Sequence, residues 1–180
     1  MSQHSEDDPV TRSKPDPAPD ALAADHGDVL RSENTFEIDT EGLESARARA
    51  ERGWGVGVLA VHDGQILLVH HDDQWLLPGG MLEPGETPGE GAARETREET
   101  GIDVRIDGLA AIAEQTFTDG DDAFVFHFAV FDATPGDTVL TDDPGLADEV
   151  IDDVAWHDSL PENTFDHGLY ARLLDDERNG

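Results

Sequence analysis

The sequence predicts an α/β fold, a mixed β-sheet held between helices in an α/β/α sandwich. Three observations predict it. Apolar residues concentrate between Trp54 and Trp156, in short runs rich in β-branched and aromatic residues. A helix with both of its ends written into the sequence interrupts those runs at about 88–100. A second amphipathic segment follows the last run. A chain of 180 residues with no internal repeat is most simply one domain.

The elements follow in order. Residues 1–28 are rich in Asp, Ser, Pro and Ala, with prolines at 9, 15, 17 and 19. This composition predicts a disordered acidic tail, because it offers too little apolar surface to offset the entropy of ordering. The domain is then residues 29–180, with a lead-in helix at about 41–52 and a core at about 53–161. Trp54–Val61 and Gln65–His70 read as strands joined by the hairpin signal Asp63-Gly64. Thr87 is a good N-cap, Pro88 suits the first helical position, and Glu90 completes a capping box. Gly101 can end that helix in a left-handed conformation. Its small residues Ala92, Ala93 and Thr96 let it lie close to a sheet. Val104–Phe117 reads as one long or bent strand, and Ala123–Phe131 as a strand with Phe124, Phe126 and Phe128 on one face. Asp148–Trp156 predicts a further strand. Glu162–Asp176 predicts a helix burying Phe165, Leu169, Leu173 and Leu174.

Composition narrows the function classes. There are 42 acidic residues against 11 basic ones, a formal net charge of −31, and lysine occurs once, as Lys14. Such self-repulsion calls for screening, and at 1 M salt the Debye length is only about 3 Å. The expectation is a protein adapted to molar salt, as in halophilic archaea. Nucleic-acid backbones and anionic membranes are poor partners for this charge. There is no cysteine, hence no disulfide. No apolar run is long enough to span a membrane and no signal-peptide pattern is present, so a soluble cytoplasmic monomer or homodimer is expected.

The chemistry concentrates in one stretch. From Gly80 to Ile102 the chain reads G-x5-E-x7-R-E-T-x-E-E-x-G-I. Glu95, Glu98 and Glu99 stand at i, i+3 and i+4, on one face of a helix, with Cβ atoms about 5–6 Å apart. Their mutual repulsion is relieved by a hard cation, and Mg²⁺ takes a few carboxylates plus substrate phosphates. A generic solvated face would sample both acids. The chain carries 26 Asp and 16 Glu, yet positions 83–99 hold six Glu and no Asp.

This motif, with Trp75-Leu76-Leu77-Pro78 leading into Gly79-Gly80, resembles the signature of the Nudix hydrolases. The likeness extends over about residues 53–161, where Glu149–Pro161 resembles the family's late strand and following loop. Thr96 departs from it, standing where an aliphatic residue is usual. The resemblance implies the Nudix fold and hydrolysis of diphosphate bonds with Mg²⁺, Mn²⁺ being a possible substitute. It implies that Glu98 and Glu99 are metal ligands and that Glu95 is a ligand or the water-activating base. It further implies that Arg94 orients Glu95, that Glu86 supports the cluster, and that Gly79 brings a backbone carbonyl to the metal. Glu149 is the candidate for a late acidic group, and Glu114 for a carboxylate facing the cleft.

Other residues read more plainly. His70 and His71 with Asp72 and Asp73 suit a solvated turn better than a metal cluster. His127 suits a satisfied core histidine. Trp54, Trp75 and Trp156 suit the core rather than base stacking. In some subfamilies a proline or a tyrosine beyond the motif marks the substrate. The segment Glu114-Gln115-Thr116-Phe117-Thr118 has neither. The expected substrate is a small nucleoside diphosphate linked to another group: a nucleotide-sugar or ADP-ribose-like compound, a dinucleoside polyphosphate, or a modified nucleoside triphosphate. The alternative is a member of the fold that binds nucleotide without cleaving it.

Overall fold

The computed structural model describes residues 10–12, 15–51, 53–143 and 151–179. Its elements are β1 (Val10–Arg12), α1 (Pro19–Ala24), β2 (Leu30–Glu37), α2 (Thr40–Ala50), β3 (Gly55–His62), β4 (Gln65–His71), β5 (Gln74–Leu76), β6 (Gly79–Met81), α3 (Pro88–Thr100), β7 (Val104–Thr118), β8 (Ala123–Pro135), β9 (Asp153–His157) and α4 (His167–Asn179).

The strands form two groups. In the mixed group, β2 lies parallel to β7, β7 is antiparallel to β8, and β8 is parallel to β3. The short β6 pairs antiparallel with β3. In the antiparallel group, β4 lies between β5 and β9. The groups join at the β3–β4 hairpin, through Val61 with Ile66 and His62 with Gln65. Asp63 and Gly64 both have positive φ there, as a two-residue hairpin turn requires.

Alternation along β3 separates the layers. Val56, Val58 and Ala60 enter a core with Ala92 of α3, Ile102 and Phe131. Leu59 enters a second core with Leu169, Tyr170, Leu173 and Leu174 of α4. Leu43 and Ala50 of α2 pack with Phe124. Helices therefore cover both faces of the sheet, as the sequence predicts.

The tail expectation is corrected for residues 19–24; residues 1–9 and 13–14 of the expected tail lie outside the described residues. Residues 19–24 form α1, whose Leu22 is only 7% exposed and belongs to the same core as Trp54. The Trp54 indole Nε1–H donates to the Pro17 carbonyl at 2.8 Å. One leucine and one buried indole donor suffice to dock a segment whose average composition reads as unstructured. Strand β2 is a second addition. Its sequence LRSENTFE lacks a hydrophobic run because it is an edge strand whose residues are half-exposed or exposed. The last helix starts at His167 rather than Glu162. Phe165 N–H donates to Trp75 O at 2.8 Å and Trp75 N–H to Asn163 O at 3.1 Å, so residues 163–165 run alongside β5 instead of opening the helix. Strand β9 covers 153–157; residues 148–150 of the expected strand lie outside the described residues.

Candidate functional site

The site is built where β6 meets α3. Helix α3 is capped as its sequence dictates: the Thr87 hydroxyl accepts from Glu90 N–H at 3.2 Å, and Gly101 closes the helix at φ 79°. Thr96 is fully buried, and its hydroxyl donates to Ala92 O at 2.8 Å. An apolar core thus accepts a threonine where an aliphatic residue is usual, because the hydroxyl is satisfied within its own helix.

Opposite the helix runs the glycine pair. Gly79 and Gly80 pair with Gly57 and Val56 of β3, and neither glycine has a positive φ. Their smallness serves close approach instead. A Cβ on Gly79 would lie 2.1 Å from the Val56 carbonyl oxygen. A Cβ on Gly80 would lie 2.5–2.7 Å from the carboxylate atoms of Glu95. The strand and the glutamate-bearing face of the helix therefore touch at Gly80. Gly79 contributes differently, its N–H donating to Glu99 Oε2 at 3.0 Å.

Arg94 organises the glutamates. Its Nε donates to Glu86 Oε2 at 2.7 Å and its Nη2 to Glu86 Oε1 at 3.0 Å, a two-pronged pair. Nη2 also donates to Met81 O at 3.0 Å. Nη1 donates to Glu95 Oε1 at 3.1 Å and to Glu98 Oε2 at 3.0 Å. Glu86 Oε1 in turn accepts from Glu83 N–H at 2.7 Å. The guanidinium bonds to Glu86 hold that carboxyl below its ordinary pKa, and the same bonds push Arg94 further above its own. Glu83 joins this network through its N–H and by facing Arg94 at 3.7 Å, a role that no spacing in the sequence announces. Gly80 opens the motif, and its lack of a positive φ shows that close contact is what requires a glycine there.

The donor set suits a divalent cation. Glu95 and Glu99 are 5% and 4% exposed, and burying carboxylates side by side demands compensating positive charge. All the side-chain donors are hard oxygens, the type Mg²⁺ takes. Among the described residues no three acidic or histidine side chains already converge as a ready-made metal cage. Arg94 Nη1 stands between Glu95 and Glu98 instead, bonded to both.

The other candidates are distributed elsewhere. Glu149 lies outside the described residues. Glu114 on β7 pairs with Arg12 of β1 at 2.9 Å. His70 meets Asp152 at 3.5 Å and His71 meets Asp72 at 3.0 Å, in a turn where Asp72 and Asp73 have positive φ. His127 is half-buried with its ring edge-on to Trp54 at 6.1 Å, and burial lowers its pKa. Trp54 is fully buried. Trp156 donates to Thr138 O at 3.2 Å. Trp75 lies edge-on to His157 at 4.3 Å and to His70 at 5.0 Å.

A family model described as NUDIX domain matches residues 51–167. The chain belongs to the Nudix family. A MutT-like protein from Streptomyces ambofaciens is 47% identical over 73 residues, which are 39% of this chain and 47% of that protein. The human diphosphoinositol polyphosphate phosphohydrolase NUDT4B is 43% identical over 56 residues, 29% of this chain and 31% of that one. The chain thus spans less than half the length of these curated relatives. Among solved structures, a NUDIX hydrolase from Nitrosomonas europaea superposes with a TM-score of 0.55 at 25% identity, over 71% of this chain and 72% of that one. The two strand groups and flanking helices are accordingly the Nudix fold, and the Arg94 cluster lies within the Nudix motif.

Proposed function

We propose that this Nudix protein is a metal-dependent pyrophosphohydrolase that cleaves a diphosphate bond in a nucleoside diphosphate linked to another group. The observation that carries the reading is the contact of Gly80 with the Glu95 carboxylate, beside Glu98 and Glu99 on one helix face. Bound there, Mg²⁺ or Mn²⁺ supplies phosphate charge neutralisation and acidifies a water. The protein's part is positioning. Glu86 and the Met81 carbonyl fix Arg94, and Arg94 fixes Glu95 and Glu98. The Gly79 N–H fixes Glu99. Glu98 and Glu99 act as ligands, and Glu95 as ligand or base. Glu149 remains the candidate for a late acidic group, and the Gly79 carbonyl for a backbone ligand.

One relative is named for a diphosphoinositol polyphosphate, a second substrate type beside the nucleotide class. The charge inventory favours the nucleotide. A polyphosphate needs several free cations, whereas Arg94, the basic side chain of the glutamate cluster, already faces Glu86, Glu95 and Glu98. No helix among the described residues is long and apolar enough to cross a membrane. The acidic surface is read as an adaptation to molar salt.

The test is a phosphate-release screen at molar KCl with Mg²⁺. It covers nucleotide-sugars, dinucleoside polyphosphates, oxidised nucleoside triphosphates and a diphosphoinositol phosphate. Turnover of a nucleotide class is expected. Glu98→Gln and Glu99→Gln should each lose turnover by orders of magnitude while circular dichroism stays unchanged. Near wild-type turnover in both variants rules the reading out.

A further inference from the structure

A second cavity lies away from the glutamates, between the β2–β7 edge and the turn that leads into α4. Its volume is about 410 Å³, within the range of small-molecule sites. Three phenylalanines from three elements form a row along it. Phe36 of β2 stacks on Phe117 of β7 at 5.5 Å and on Phe165 of the turn at 4.6 Å, both with rings inclined by 27°. All three are only partly buried. Adjacent stacked rings left partly open to solvent at a cavity offer a flat, π-rich wall.

The polar end of the cavity is Asp166, which is 6% exposed. Its φ of 47° places it in the left-handed region, where Asp is tolerated better than most residues. Asn34 Nδ2 donates to Oδ1 at 2.7 Å. Oδ2 is shielded from water and has no hydrogen-bond partner among the described residues. A buried carboxylate oxygen without a donor is costly, and such groups call for an explanation. The terminal torsion of an aspartate is soft, so a small rotation can present Oδ2 to a donor arriving in the cavity. Glu37 adds a second acid to the lining. With two acids against the single histidine His167 in its lining, the cavity disfavours phosphate and favours a hydrogen-bond donor.

We propose that the cavity bounded by Phe36, Phe117, Phe165, Asn34 and Asp166 binds a planar, amino-bearing heterocycle, the amino-nucleobase class. The ring lies against the phenylalanines and its exocyclic amino group donates to Asp166. Such a base has two sources: the substrate's own nucleoside end, or a separate nucleotide. Gln74 lines the cavity and Gly79 lines the diphosphate site. They stand five positions apart, a span of at most about 18 Å even when fully extended. Only the assignment to the substrate's base rests on the hydrolase reading.

The experiment is equilibrium dialysis of adenosine and purine riboside against the full chain at molar KCl. Nucleosides carry no diphosphate, so the result stands whether or not the protein is a hydrolase. Purine riboside lacks the amino group and adds no other donor. Adenosine should bind about tenfold tighter or more, the effect of one hydrogen bond to a charged acceptor. Asp166→Asn keeps an oxygen for Asn34 and turns the other position from acceptor into donor. It should weaken adenosine about tenfold and narrow the preference over purine riboside. Phe36→Leu should weaken both nucleosides. Equal binding of the two nucleosides, no binding of either at millimolar concentration, or unchanged adenosine affinity in a folded Asp166→Asn overturns the proposal. If Asp166→Asn does not fold, the wild-type preference and Phe36→Leu decide. A kinetic arm separates the sources. A raised KM at unchanged kcat for an adenosine-diphosphate-linked substrate in Asp166→Asn identifies the substrate's base. An unchanged KM with adenosine binding lost identifies a separate nucleotide.

Discussion

Replacing the two adjacent glycines one at a time should separate stability from activity. In Gly80→Ala the new methyl meets the Glu95 carboxyl carbon at 2.5 Å and its oxygens at 2.6 and 2.7 Å. Comfortable carbon contacts lie near 3.5–4.0 Å, so the carboxylate must retreat by about 1 Å. It is the end of a side chain and can do so, giving up its 3.1 Å bond from Arg94. That loss is about 1.5–3 kcal/mol, partly offset by about 0.5–1 kcal/mol from replacing glycine within a strand. The net is about 1–2 kcal/mol, or a Tm lower by about 2–8 °C for a chain of this size. A catalytic group misplaced by about 1 Å can lose about 10²-fold in rate. In Gly79→Ala the methyl meets backbone instead, the Val56 oxygen at 2.1 Å and Gly57 Cα at 2.8 Å. Neither atom can move without parting β3 from β6, so the upper end of overpacking, about 3 kcal/mol, applies, lowering Tm by about 6–12 °C. The assays are thermal melting by circular dichroism and phosphate release, both at molar KCl. Wild-type turnover in Gly80→Ala, or wild-type Tm in Gly79→Ala, would refute the placement of β6 against α3.

Three further outcomes are expected. A chain starting at Asp28 loses Leu22 and the Pro17 acceptor of Trp54; at about 2 kcal/mol for the leucine, its Tm should fall by about 4–8 °C, and an unchanged Tm would show that α1 does not dock. Glu86 has its pKa depressed, first by its bond from Arg94. Its stabilisation is therefore complete above the unfolded carboxylate value of about 4.3 and is lost as pH falls through the lower folded value. Glu86→Gln should flatten the acid limb of Tm against pH, and a limb parallel to wild type would count against the Arg94 pairing. Added KCl should raise Tm steeply toward the molar range, because it screens the charge of −31. At constant molar KCl a few millimolar Mg²⁺ should raise it further by mass action on the native site, and less in Glu98→Gln; an equal rise in both proteins would place that Mg²⁺ on diffuse surface acids.

The sequence by itself determined what depends on local spacing. Helix α3 occupies residues 88–100 as its caps dictate, since Thr87, Pro88 and Gly101 act on their own neighbours. The one-face placement of Glu95, Glu98 and Glu99 follows from helical period alone. Strands β3, β4, β7 and β8 were legible because alternating or continuous apolar runs record burial directly. Tertiary structure decided what depends on a distant partner. The segment LRSENTFE becomes β2 only because β7 offers an edge, and Leu22 orders α1 only because Trp54 waits across the core. Residues 163–165 leave the helix for the backbone of Trp75. Gly79 and Gly80 are equivalent in sequence. Only the approach of β3 from one side and of Glu95 from the other gives each its own reason to lack a side chain. Asp166 shows the same limit, because a carboxylate in a polar turn reads as solvated until Asn34, from 132 residues earlier, and the phenylalanine row close over it.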